Sequence, residues 1–140
     1  MELTQKQKGN LSEMKIAAKL MEYGYTVCFP YGENTRFDLI FECNSKLYKV
    51  QVKTGRYDEQ TETITISCRS NKCYINLEST ENRSQDYKND VDYIGTYCPQ
   101  LDKCYMIPIN VCGKAQLNLR VGNSQKTNQH GTNYASHYQI

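Results

Sequence analysis

Tryptophan is missing from this chain, and so is any apolar run near the length of a bilayer-spanning helix, about 20 residues. The second absence argues against a membrane-spanning helix within these residues. The opening Met1-Glu2-Leu3-Thr4-Gln5-Lys6 lacks the charged and apolar blocks of a signal peptide. An intracellular setting, cytoplasmic or organellar rather than secreted, is therefore expected. No two of the seven cysteines (Cys28, Cys43, Cys68, Cys73, Cys98, Cys104, Cys112) have Cys-x-x-Cys spacing, and their number is odd. That pattern leaves a zinc site unsupported, and in a reducing compartment the thiols should stay free and pack as small hydrophobes. Acidic residues are absent after Asp102, while Lys103, Lys114, Arg120 and Lys126 remain. A net charge of +2 announces no polyanion partner by itself. A basic final third is nevertheless what a phosphate-contacting surface needs, although a solvated lysine edge has the same composition.

What is present fits one domain, 1–140, with 110–140 as a basic C-terminal extension. Thr4 and Gln7 have capping-box spacing and predict a helix to Tyr23, stopped at Gly24. Ser12, Lys15, Lys19 and Glu22, with Lys8, gather on one arc of it. Leu11, Met14, Ile16, Ala17, Ala18, Leu20 and Met21 fill the opposite arc. Glu13 lies inside the apolar arc. An inward carboxylate must be ion-paired, hydrogen-bonded or metal-bound, because burying its charge alone is costly. Strands are predicted over 25–29, 61–68, 91–98 and 103–109, the last two as a hairpin. Residues 69–90 read as a loop with a short helix, 115–121 as an edge strand and 122–133 as an amide-rich loop. The segment 134–140 is expected to dock by its two tyrosines.

The most informative stretch runs from Arg36 to Arg56. Arg36-Phe37-Asp38-Leu39-Ile40-Phe41-Glu42 and Lys46 through Lys53 flank Asn44-Ser45, an antiparallel hairpin. Alternation puts Lys49, Gln51 and Lys53 on one face, and Tyr48, Val50 and Val52 on the other with Leu39 and Phe41. Asp38 faces away from the apolar set, so an aspartate, an amide and a lysine converge. With Glu13 approaching from the helix, two carboxylates, the Gln51 amide oxygen and a main-chain carbonyl, that of Val52, form an oxygen-only ligand set. Such a set suits Mg²⁺, with Mn²⁺ as a substitute. Lys53 is then placed to orient a water or neutralise charge at phosphorus. Arg36 and Arg56 bracket the cluster, available to pair with Glu33, Asp58 or Glu59 or to contact phosphates. Asp38 as a strand-start residue, with Gln51 and Lys53 on a solvated face, is the plainer alternative.

Asp38 followed by Gln51-Val52-Lys53 resembles the PD-(D/E)XK nuclease superfamily, with glutamine in place of the acidic member. Lys8-Gly9, Glu13, Tyr23-Gly24-Tyr25, Pro30-Tyr31-Gly32-Glu33-Asn34, Arg36-Phe37-Asp38-Leu39 and Val50 through Arg56 resemble its group I intron-encoded homing endonucleases. Val91-Asp92-Tyr93-Ile94, Tyr97-Cys98 and Tyr105 through Ile109 continue the likeness. The resemblance implies an α/β, restriction-endonuclease-like αβββαβ core with a mixed central sheet and additional C-terminal strands. It implies a divalent cation and site-specific cleavage of double-stranded DNA by a homo-oligomer, a dimer or tetramer. Pro30 stands apart from Asp38, and Gln51 removes a charge from the metal site. Both depart from the family's pattern.

The expected function is thus a metal-dependent DNA endonuclease of the homing type. A Holliday-junction resolvase, a restriction or repair nuclease, and an inactive DNA-binding module are the rivals. Lys114, Arg120 and Lys126, together with Arg36 and Arg56, are the candidate DNA contacts.

Overall fold

Thr4 opens the only α-helix among the described residues, Gln5–Glu22 (α1). A computed structural model describes residues 1–32, 34–75, 80–113, 115–122 and 132–140. The Thr4 hydroxyl accepts from the Gln7 N–H at 3.3 Å, and the Gln7 side chain accepts from the Thr4 N–H at 2.9 Å. Two orphan donors of the first turn are thereby satisfied, as the capping-box spacing predicts. Gly24 turns the chain away from the helix at φ +84°, a conformation glycine adopts without steric cost.

Eleven strands follow among the described residues: Thr26–Cys28 (β1), Leu39–Cys43 (β2), Lys46–Thr54 (β3), Arg56–Asp58 (β4), Thr63–Ser67 (β5), Arg69–Ile75 (β6), Thr80–Asp86 (β7), Tyr93–Cys98 (β8), Lys103–Pro108 (β9), Gln116–Arg120 (β10) and Asn133–Tyr134 (β11). The central sheet has the order β1-β2-β3-β8-β9, a second sheet β11-β10-β5-β4, and β6 pairs with β7. The β2–β3 hairpin closes through Asn44 and Ser45, both at positive φ, the geometry that matches strand twist in a two-residue turn. β3 and β8 run parallel; every other pairing in the central sheet is antiparallel.

Both faces of the central sheet are buried. Ile16, Ala17 and Leu20 of α1 pack on Leu39, Val50, Val52 and Tyr97. Ile94 and Ile107 pack on Ile64, Ile66, Leu117 and Leu119 of the second sheet. Sandwiched this way, β8 is buried along nearly its whole length, as a central strand with two covered faces must be. Gly95 admits the helix: a Cβ there would meet Ile16 and Val50 carbons at 3.1 Å.

Several expectations need correction. The α/β class, the mixed central sheet and the additional C-terminal strands are as expected, but the parallel crossover from β3 to β8 runs, among the described residues, through strands β4–β7 where the αβββαβ plan has its second helix. Within 69–90, Arg69–Ile75 and Thr80–Asp86 pair as the β6–β7 ribbon where a loop with a helix was expected; the polar sequence hid the pairing. β10 is interior, flanked by β5 and β11. The tail docks through the Tyr138 side chain, packed on the core beside buried Ala135, and also through its main chain, with Met106 N–H donating to the Tyr138 carbonyl and Ile140 N–H to that of Cys104. Ser12, placed on the polar arc, is fully buried, while Leu11, Met14 and Met21 are exposed. The Ser12 hydroxyl can be buried because it donates to the Lys8 carbonyl at 2.9 Å and meets the Thr54 hydroxyl at 2.7 Å. The described cysteines are free thiols, as expected.

Ser12→Ala removes the side-chain link between α1 and β3 and leaves Thr54 only a 3.5 Å approach to the Lys8 carbonyl. It should cost roughly 1–2 kcal/mol, read as a lower urea midpoint at unchanged slope. An unchanged midpoint would show that the buried hydroxyl pair contributes nothing net.

Candidate active site

β2 begins at Leu39, opposite Val50, whereas β3 continues to Thr54. Beyond Val50 the β2 side of β3 therefore has no strand to pair with. Asp38 fills that place with its side chain. Its N–H donates to the Val50 carbonyl at 2.8 Å. Its Oδ2 accepts from the Val52 N–H and from Gln51 Nε2, each at 2.7 Å. A carboxylate thus takes over the ladder where the backbone stops. Donation through Nε2 leaves Oε1 as the acceptor of the Gln51 amide. The N–H and C=O of one strand residue point to the same edge, so the Val52 carbonyl lies on the Asp38 side.

Glu13 reaches this edge from α1. It is half-buried, and burial pushes its carboxyl above the usual range, with the Asp38 charge adding to the shift. Burial also raises Asp38, against the opposing pull of the Val52 N–H and the Lys53 charge. Each carboxylate therefore resists ionisation, and the Asp38 charge is felt at Glu13. The four groups do not share one face of the sheet, however. Val50 and Val52 face α1, so Gln51 and Lys53 face the opposite way. The cluster assembles around the end of β2, with Glu13 coming from the helix side and Lys53 from the other.

The Lys53 ammonium donates to the Arg69 carbonyl at 3.3 Å and lies 5.0 Å from the centre of the Tyr87 ring. Arg36 pairs through Nε with Asp90 at 3.0 Å, and its guanidinium lies 4.2 Å from the same ring. That partner is none of Glu33, Asp58 and Glu59, and the Arg36 side chain is only 11% exposed. Arg56 is exposed on β4, and Arg120 half-buried at the end of β10. Lys114 and Lys126, like Glu33, lie outside the described residues. Tyr87, Asp90 and Thr54 were not singled out from the sequence. Only the three-residue spacing of Tyr87 and Asp90, that of a turn, hinted at the first two.

Among the described residues no group of three His, Cys, Asp or Glu side chains gathers as a metal site. Glu13 and Asp38 supply two charged oxygens, so a cation here would also need the neutral oxygens of Gln51 and Val52. The donor set fits a hard divalent cation. So does the electrostatics: Glu13, raised by burial and by the Asp38 charge, and Asp38, raised by burial, would both be relieved by a positive ion between them.

A family model for the PD-(D/E)XK endonuclease matches residues 3–140. Among solved structures, the bacterial homing endonuclease I-Ssp6803I superposes with a TM-score of 0.76 at 22% identity, covering 98% of this chain and 89% of that one. No curated protein matches.

Because the Glu13 carboxyl is raised in the fold, the stability linked to it is present while the group holds its proton and is lost as pH rises through the folded value. Glu13→Gln should therefore melt above the wild type at about pH 7–8 in metal-free buffer, with the advantage vanishing near pH 4. Mg²⁺ should raise the melting temperature of the wild type more than that of the variant. Thermal melts across pH, with and without Mg²⁺, check both; a variant less stable at every pH would remove the charge repulsion inferred here.

Proposed function

This chain belongs to the PD-(D/E)XK endonuclease family, and from that premise we propose that it hydrolyses phosphodiester bonds of double-stranded DNA at specific sites, as a divalent-metal-dependent homing endonuclease. The observation that carries the reading is the Asp38–Gln51–Val52 unit, with Lys53 acting on Asp38 and the Asp38 charge felt at Glu13. Glu13, Asp38, Gln51 Oε1 and the Val52 carbonyl would hold the cation, Mg²⁺ or in its place Mn²⁺. When bound it supplies Lewis acidity and a charge clamp at the scissile phosphate.

The remaining work falls to this chain's own groups. Asp38, anchored by the Val52 N–H, keeps its carboxylate at a fixed place on the edge of β3. Gln51 donates to that carboxylate, which fixes the amide and turns its oxygen into the ligand set. Lys53 orients the attacking water and offsets the negative charge that grows on the phosphoryl oxygens. Water is the nucleophile, and no covalent intermediate is required. Glutamine in place of an acid leaves the site one negative charge poorer, so weaker cation binding than an all-carboxylate site is expected.

One such site cuts one strand, so cleavage of a duplex calls for a symmetric pair of chains. The homing role is supported by the likeness to a homing endonuclease over almost the whole chain. Arg56 and Arg120 are offered as contacts to the duplex backbone, with Lys114 and Lys126 in the same basic stretch of sequence. Arg36 is withdrawn from that group, since Asp90 holds it.

Lys53→Ala should lower the Mg²⁺-dependent cleavage rate by about a hundredfold or more, while duplex affinity measured with Ca²⁺ stays within about threefold. Unimpaired cutting by this variant would contradict the role of Lys53. A wild type that binds duplex and never cuts with Mg²⁺ or Mn²⁺ would instead be a DNA-binding module. Selective nicking of four-way junctions would mark a resolvase.

A further inference from the structure

A lysine ammonium sits at the end of a flexible four-carbon stem, so a lysine that must meet a reacting phosphate needs something to hold its tip. In this protein the holding group is identifiable. Among the described residues, the Lys53 ammonium meets the Arg69 carbonyl at 3.3 Å and the face of Tyr87 at 5.0 Å beyond the carboxylate site. The carbonyl bond is long for a charge-assisted contact. The ring, in contrast, is 3% exposed, and a cation over a desolvated ring is attracted more strongly than one over an exposed ring.

We propose that Tyr87 is a positioning residue for Lys53, its ring face holding the ammonium at the Asp38–Gln51 site. The proposal rests on the nuclease reading above and adds a residue to it. Tyr87 carries a second cation, Arg36, at 4.2 Å. Two positive charges on one ring repel each other. The Asp90 carboxylate, 3.0 Å from Arg36 Nε, cancels one of them, so Arg36, Asp90 and Lys53 together leave a single net positive charge, facing the carboxylates.

Ring and counter-charge come from one turn. The Asp90 N–H donates to the Tyr87 carbonyl at 2.9 Å and the Val91 N–H to the same oxygen at 3.2 Å. The turn therefore fixes the ring and the Asp90 carboxylate relative to each other. Because β8 starts just after it and pairs with β3 from Val50 to Thr54, the register of that parallel pair sets where the ring stands relative to Lys53.

The test compares Tyr87→Phe, which keeps the ring, with Tyr87→Leu, which removes it, both first checked for native-like melting. Single-turnover cleavage at saturating protein should fall about tenfold or more in the Leu variant and recover to within about threefold of the wild type in the Phe variant. Duplex affinity with Ca²⁺ should stay level in both, which a merely structural defect would not produce. A second readout does not depend on cleavage. In protein labelled with ¹³C-lysine, the Lys53 ε-CH₂ signal, assigned by its loss in Lys53→Arg, should be shifted upfield by the ring in the wild type and the Phe variant and return toward the free-lysine position in the Leu variant. A Leu variant that cuts at the wild-type rate, a Phe variant as impaired as Leu, or an unshifted Lys53 signal in the wild type would each overturn the proposal. A wild type that never cuts but keeps the ring-shifted signal overturns the nuclease reading while upholding the contact.

Discussion

The site depends on one substitution of partner: where β2 has no backbone to offer β3, the Asp38 carboxylate takes the Val52 N–H. A buried backbone donor must be satisfied, and here a charge satisfies it. The bond fixes the carboxylate at a strand edge, turns the Val52 carbonyl toward it and recruits the Gln51 amide. Had β2 begun two residues earlier, the ladder would have closed and no oxygen-rich edge would exist. An early end to one strand is thus what opens a site in a sheet that is otherwise buried on both faces.

Glu13 reaches that edge because the helix is held in register. Ser12, its neighbour, is buried against Thr54, one residue after Lys53. The hydroxyl pair thereby ties the position of one carboxylate to the strand that carries the lysine. Raised proton affinity at both Glu13 and Asp38 means the folded protein tolerates a charge arrangement it would not adopt for stability alone. Active sites commonly hold groups in this way.

How much of this was legible in the sequence follows from how far apart the partners lie. The capping box, the Asn44-Ser45 turn and the alternation of Gln51, Val52 and Lys53 are local, and each was read from spacing alone. Asp38 could be set beside Gln51 because a two-residue turn fixes hairpin register. Ser12 was misplaced since its partner is 42 residues away, and an arc drawn on an isolated helix counts any serine as solvent-facing. The Arg36–Asp90 pair spans 54 residues and has no local signature. The β6–β7 ribbon was missed for another reason: paired only to each other, its strands have no need of the apolar alternation that marks a strand packed on a core.

The tail that docks on β9 has a further effect. Tyr138 and Ile140 occupy the outer hydrogen-bonding groups of β9, and the opposite border of the central sheet is β1, three residues long. Exposed strand borders invite another polypeptide to add on, and here one is taped over and the other too short to template much. The central sheet therefore offers an incoming strand little free border on either side, so it is poorly suited to growing into a continuous layer with another chain.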